Sequence, residues 1–267
     1  MKQLIFNMTL KIYLYIFGRV SFQKFNHAAI RFHLRSIGIL NYSNHLQSGE
    51  HFFIKQELKK IVRKKANLVF IDGGANIGSY SESLLKKFFP KAQIYAFEPN
   101  PTAFRQLINI KDNFQAINKA LGAECKQSIL FEPTNNPGSS HSSLYRLEHG
   151  AVNQIQIECT TLDAFCMQQG IEHIDFLKLD LEGNELDALH GANSLIKAGK
   201  ITCIQFEFNE INYISKITMQ DIITALPNYK LYRMLPKGLT PLPSAAYLQN
   251  IYAYQNLVAI SELTQDE

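Results

Sequence analysis

Three short stretches carry residue types and spacings suited to binding a small charged ligand. The first is Asp72-Gly73-Gly74-Ala75-Asn76-Ile77-Gly78, where small residues let the backbone approach a ligand and the following helix offers unpaired N–H groups. The second is Glu98, spaced so that its carboxylate can accept hydrogen bonds from two ribose hydroxyls. The third is Asn118 with Ala120-Leu121, where an amide and small apolar atoms suit the edge and face of an adenine; a strand-end turn explains Asn118 equally well. Gly73, Gly74 and Gly78 do not make G-x-G-x-x-G, and no G-K-[ST] follows, so dinucleotide and nucleotide-phosphate sites are disfavoured. An acid directly before the turn repels a pyrophosphate but suits a cation, and Asp72 therefore favours the sulfonium and ammonium of S-adenosylmethionine.

Methyl transfer to an alcohol is an in-line displacement in which the acceptor must lose a proton, so a base or a metal-stabilised alkoxide is expected. Asp180-Leu181-Glu182-Gly183-Asn184-Glu185 supplies acidic density, and Glu207 and Asn209 follow from the next strand. Glu182 is the first candidate for the base, with Asp180 and Glu207 as further catalytic or acceptor-binding carboxylates. Asp180 can also bridge to the donor's ammonium. His141, His149 and His190 are weaker alternatives, and Asp180, Glu207 and Asn209 offer an oxygen set for Mg²⁺. A plain structural reading remains, in which Glu182 and Glu185 favour a helix N-terminus. The loop 135–150, rich in serine, is expected to be a lid or acceptor-facing segment.

Alternating elements must position these groups. Leu68 to Ile71, Gln93 to Phe97, Phe114 to Asn118, Ile174 to Leu179, Ile201 to Phe208, Lys230 to Leu235 and Ile251 to Ile260 read as strands, with helices over Ile77 to Phe89 and Met219 to Leu226. Ser128 to Phe131 and Asn153 to Thr160 suit an antiparallel pair. Repeated βα units demand a parallel sheet with right-handed crossovers and a ligand site at the strand carboxyl ends. The expected fold is α/β: a Rossmann-like, doubly wound, mostly parallel seven-stranded sheet over residues 66–267, with an N-terminal helical cap over 1–65.

The blocks VFIDGGANIGSYS, IYAFEPNP, TTLDAF, HIDFLKLDLEGNELDALHGA and IQFEFNE, in that order, resemble the FkbM family of class I methyltransferases. The resemblance covers roughly Asn67 to Arg233, and the late strand NLVAI is in keeping with it. It implies an S-adenosylmethionine-dependent enzyme, with O-methylation of natural products or of sugars in surface polysaccharides as the expected activity. It also matches Asp72, Gly74, Asn76 and Gly78 to the donor-binding turn and Glu98 to the ribose acid. Gly73 before Gly74 departs mildly from the pattern and is expected to loosen the turn.

With 267 residues, 46% hydrophobic and 19% charged, the chain has the balance of a globular protein with one large core. Net charge is +4, but residues 1–49 hold Lys2, Lys11, Arg19, Lys24, Arg31 and Arg35 and no acid, leaving −2 on the remainder. That segment suits peripheral contact with an anionic membrane or an acidic acceptor. The blander expectation is a cap whose Phe22, Phe25, Ile30, Phe32 and Leu34 pack on the main domain. Lys2, Lys11 and Arg19 break the leading apolar run below the roughly 20 residues of a membrane span, and no A-x-A cleavage site follows. Four widely spaced cysteines fit reduced thiols and a cytoplasmic location. The absence of an Asp/Asn-Pro-Pro-aromatic run and the modest charge argue against nucleic acid as acceptor. The expected partner is a small-molecule or glycan acceptor. Alternatives are a small-molecule N-methyltransferase and a catalytically silent donor-binding protein docked to a membrane or assembly complex. Oligomeric state is not legible in the sequence.

Overall fold

The computed structural model describes residues 2–62, 65, 67–135, 137–139, 142–146 and 151–263. Its strands are β1 (Val69–Gly73), β2 (Gln93–Phe97), β3 (Phe114–Ile117), β4 (Ala120–Leu121), β5 (Lys126–Pro133), β6 (Val152–Thr160), β7 (Phe176–Leu179), β8 (Cys203–Phe208), β9 (Tyr229–Leu235), β10 (Gly238–Pro241) and β11 (Gln255–Ser261). One sheet runs in the order β10-β9-β11-β8-β7-β1-β2-β3, and β4, β6 and β5 form a second, smaller sheet.

The centre of the large sheet is parallel because each of its strands is followed by a crossover that returns the chain to the same edge. Eight strands replace the expected seven: Gly238–Pro241 folds back on β9 as an antiparallel edge, a hairpin too short and polar to read as a strand beforehand. β5 and β6 pair antiparallel as expected, outside the main sheet. Helices cover both faces. Alternation along β1 sends Ile71 into one apolar layer with Leu177, Leu179 and Phe206, and Phe70 into the other with Ile94, Phe176 and Val258.

Register decides where the chemistry lies. Gly73 pairs with both Phe97 and Leu179, so the carboxyl ends of β1, β2 and β7 are level, and β8, whose Phe206 pairs with Leu179, runs two residues further. Gly74, Glu98 and Asp180, which follow those strands, and Glu207, in the stretch of β8 beyond that level, therefore lie along one rim. β11 runs the other way, with Asn256 opposite Glu207, and so its entry residue Tyr254 reaches the same rim.

The leading segment departs from expectation in two ways. Phe25, Ile30 and Phe32 do not pack on the domain: they are 57%, 55% and 75% exposed, and Phe22 and Leu34 are only half-buried. No residue of the helices Lys2–Phe17 and Gln23–Ser36 is buried. From Ile39 onward, by contrast, the chain belongs to the core. Ile39 bridges to Gln255, and Phe53, Ile54, Leu58 and Val62 pack into the layer built on Phe70. Among the described residues no helix is long and apolar enough to cross a membrane.

Candidate active site

A cavity of about 560 Å³ opens along the rim, bounded by Gly74, Asn76, Glu98, Asp180, Glu182 and Glu207. That is ample for a nucleoside-sized ligand. The glycine turn is built by close approach. Gly74 and Ala75 N–H groups donate to the Phe97 carbonyl (3.0 and 2.9 Å), and the Asp180 N–H donates to the Gly73 carbonyl at 3.0 Å. Gly74 has φ +77°, and a Cβ there would lie 1.8 Å from the Asp180 carbonyl oxygen. Gly78, at φ +88°, is pressed against Ile110 in the same way. Gly73 does not loosen the turn: it closes β1 in regular parallel pairing, with Leu121 and Leu179 packed close against its Cα.

Glu98 is 6% exposed and accepts two backbone N–H groups, Asn76 on Oε2 (2.8 Å) and Asn100 on Oε1 (2.7 Å). Each oxygen keeps a lone pair for a hydroxyl donor. Burial pushes the carboxyl up to about 7, against the pull of those two N–H groups. Asn76 adopts φ 49° and donates from its side chain to the Gly138 carbonyl at 3.2 Å. Leu121, Leu130 and Leu144 supply an apolar wall beyond Glu98, and Asn184 steadies it by donating to the Leu121 carbonyl at 2.8 Å.

Two expected ligand groups are placed elsewhere. Asn118 stands outside the cavity lining, its amide donating to the Glu98 and Pro99 carbonyls at 2.8 and 3.1 Å, so it braces the end of β2 while Lys119, Ala120 and Leu121 line the wall. Asp72 does not meet the ligand space either. It is fully buried beneath the turn, accepting from Ser81 Oγ at 2.6 Å, with Lys178 Nζ 3.8 Å from its other oxygen. Burial raises its pKa, and Lys178 and Ser81 oppose the rise. Ala75 and Ile77 lie not on this cavity but on a second one beside it.

That second cavity, about 430 Å³, shares Gly74, Asn76, Asp180, Glu207, Tyr42 and Tyr254 with the first and adds His45, Glu50 and Lys178. Lys178 is a residue the sequence reading missed, although a lysine inside the buried run HIDFLKLD was its signal. Its Nζ bonds Asp180 Oδ2 at 3.0 Å and sits 4.8 Å from the Tyr80 ring centre. The charges of Asp180, Asp72 and Glu50 hold it protonated, outweighing burial that alone would lower its pKa. His45 was also missed. Its Nδ1 lies 2.8 Å from Glu50 Oε2, and Glu50 is further held by Ser48 Oγ (2.7 Å) and Gln205 Nε2 (3.0 Å). The Glu50 hydrogen bond raises the His45 pKa, with burial acting the other way.

Glu182, at φ 50°, borders only the first cavity, and burial and the Asp180 charge push its carboxyl up to about 8. Glu207 borders both cavities, and burial with the neighbouring Asp180 charge raises its pKa strongly. Glu185 is buried and accepts the Leu181 N–H at 2.7 Å, so it shapes the loop rather than facing ligand. His190 is exposed at the end of the helix Glu185–His190, away from both cavities; His141 and His149 lie outside the described residues. Of the loop 135–150, the described residues Ser139, Ser142 and Leu144 border the first cavity, and none of its described residues lines the second.

The oxygen set envisaged for Mg²⁺ does not fit a metal. Asn209 Oδ1 accepts the Ile211 N–H at 2.9 Å in a helix cap, and Asp180 already holds the Lys178 ammonium. Among the described residues no group of three His, Cys, Asp or Glu is placed to hold a metal ion.

The model of the methyltransferase FkbM domain matches residues 72–234, more than half of the chain, including Gly74, Glu98, Asp180 and Glu207 of the rim. The chain belongs to the FkbM family of class I, S-adenosylmethionine-dependent methyltransferases. Among curated relatives, this FkbM-family chain is 26% identical over 192 residues to the 2-O-methyltransferase NoeI of Sinorhizobium fredii, covering 66% of this chain and 78% of that protein. It is 28% identical over 166 residues to methyltransferase sdnD of Sordaria araneosa, covering 50% and 63%. Among solved structures it is similar to the plantazolicin methyltransferase BpumL in complex with S-adenosylhomocysteine and a desmethyl substrate analogue, at 10% identity, TM-score 0.45 and 94% coverage of both chains.

Proposed function

We propose that this enzyme transfers the methyl group of S-adenosylmethionine, bound in the first cavity, to a hydroxyl of a sugar held in the second. One observation carries the reading: the two cavities meet at a common wall containing Asp180 and Glu207, so an acceptor oxygen in one can face a methyl group presented by the other. The relative named as a 2-O-methyltransferase supports attack by oxygen. Tyr42 and Tyr254, with ring centres 6.0 Å apart at the shared wall, offer aromatic faces to the C–H surface of a pyranose, while the carboxylates take its hydroxyls.

When bound, the donor supplies an electrophilic methyl group on a sulfonium. The chain does the rest. Glu98 takes the ribose hydroxyls, and the Gly74 turn lets the backbone pass close beneath the donor. Asp180, hydrogen-bonded to Lys178, accepts a hydrogen bond from the acceptor, and Glu207, whose pKa burial and the Asp180 charge raise, donates one from its protonated form. His45 donates Nδ1–H to Glu50, which leaves Nε2 to take the hydroxyl proton as the C–O bond forms and the methyl–sulfur bond breaks, its electron pair leaving with sulfur as a neutral thioether; the Glu50 carboxylate then stabilises the imidazolium.

Purified protein incubated with labelled donor and a panel of free sugars, sugar nucleotides and lipid-linked glycans tests the assignment, with mass spectrometry and NMR locating the new methyl group. A methyl ether on a sugar is the expected product. Donor binding without transfer to any acceptor would identify a silent binding protein, and a methylated amine would move the reaction to nitrogen. His45→Gln is expected to slow transfer about 100-fold with donor affinity unchanged. The wild-type rate should rise with pH through an apparent pKa above the ordinary histidine value, and that limb should vanish in the variant. An unaltered rate returns the base role to Glu182.

A further inference from the structure

The helix Lys2–Phe17 has no buried residue, and its apolar side chains point to nearly every side. Leu4, Ile5, Phe6, Met8, Ile12 and Leu14 are each more than half exposed. Gln3, Asn7 and Lys11 make a narrow polar stripe; so wide an apolar surface belongs in a core or at a membrane, and here no core receives it. At 16 residues it is about 24 Å long, short of the roughly 30 Å of bilayer hydrocarbon, so it can lie in an interface but not span one.

The second helix, Gln23–Ser36, completes the device. Phe25, Ala29 and Phe32 fall at i, i+4 and i+7 on one face, while Lys24, His27, Arg31 and Arg35 fall on another. The Phe17 ring stacks against Phe25 (5.8 Å) and edge-on against Phe22 (5.2 Å), and Asn26 Nδ2 donates to the Phe17 carbonyl at 2.8 Å, so the two helices form a braced hairpin.

Charge selects the occupant. Residues 1–49 hold six Lys and Arg and no Asp or Glu. A second copy would bring six more uncompensated cations against the first, whereas an anionic lipid surface neutralises them while its acyl boundary takes up the aromatic and aliphatic side chains.

We propose that this hairpin docks the enzyme onto an anionic membrane surface, with Lys2–Phe17 sunk in the headgroup–acyl boundary and the cations of the second helix at the phosphates. The docking is independent of which acceptor is methylated. Ile39, bridged to Gln255, and Leu40, whose N–H donates to the Tyr254 carbonyl at 2.8 Å, tie the hairpin to the catalytic rim, so docking would hold the acceptor cavity near the lipid.

Co-sedimentation of the full chain with vesicles of phosphatidylcholine alone, or of phosphatidylcholine mixed with phosphatidylglycerol, is the test. Partition at least tenfold stronger to the mixed vesicles is expected, weakening as salt is raised. The triple variant Phe6→Ser/Ile12→Ser/Leu14→Ser should lose that partition at least tenfold while binding S-adenosylhomocysteine as the parent does, because those side chains contact neither cavity. Failure of the parent chain to sediment with mixed vesicles at low salt overturns the proposal. So does equal partition to both vesicle types, or self-association that the triple variant abolishes without any vesicle binding.

Discussion

Lowering the pH should release the donor, and Glu98 sets the window. In the free protein its carboxyl is pushed up to about 7 by burial, and the proposed donor site has two ribose hydroxyls donating to it. A protonated carboxyl has lost one acceptor oxygen to its own proton, so binding selects the ionised form and lowers the pKa in the complex. The sign follows: affinity is full above the free-state pKa and falls as pH drops through it. At pH 6, one unit below, about a tenth of Glu98 is ionised, which weakens donor affinity about tenfold relative to pH 8, or about 1.4 kcal/mol. Glu98→Gln removes that pH dependence and turns an NH₂ group toward the Asn76 or Asn100 N–H, now 2.8 and 2.7 Å from carboxylate oxygens. One orphaned N–H costs about 1–3 kcal/mol, and loss of one hydroxyl bond to a charged acceptor about 1.5–3 kcal/mol. The variant should therefore bind at least tenfold more weakly, at every pH. Titration calorimetry with S-adenosylhomocysteine from pH 5.5 to 8 reads both effects. Parent affinity independent of pH, or parent-like affinity in Glu98→Gln, would refute the placement of the ribose on this carboxylate.

Other outcomes follow from the same rim. Gly74→Ala forces a Cβ to within 1.8 Å of the Asp180 carbonyl oxygen at φ +77°, so donor affinity should fall more than tenfold in the same titration. Lys178→Met leaves Asp72 and Asp180 without their shared cation, and denaturant unfolding should show a loss of about 3–5 kcal/mol, partly restored by adding Asp72→Asn. Full methylation should persist in excess chelator, since Asn209 and Asp180 are already engaged by Ile211 and Lys178; loss of activity reversed by Mg²⁺ would overturn that reading.

The alternation of strand and helix, the glycine turn and the acid after β2 were legible because each is local. Side-chain period, glycine tolerance of positive φ and turn chemistry are written in a few adjacent residues, and they led to a Rossmann-like sheet with Gly74, Asn76 and Glu98 on its rim. What lies beneath or beside that rim was not. Asp72 and Gly74 are two residues apart, yet the parallel pairing with β7 buries the first near Lys178, while the chain leaves β1 in a left-handed turn that sets the second at the cavity. Asn118 looked like a base-reading amide until the end of β2 claimed its N–H groups. The short β10 hairpin exists because β9 offers it an edge to pair with. Tertiary structure alone assembled the second cavity. His45 and Tyr42 come from a segment resembling a cap, and Tyr254 arrives only because β11 runs antiparallel and starts where its neighbours end. The leading hairpin shows the same limit in reverse: its apolar residues were expected to find a core, but Phe53, Ile54, Leu58 and Val62 are the ones that pack on the layer built on Phe70, and Phe25, Ile30 and Phe32 stay exposed.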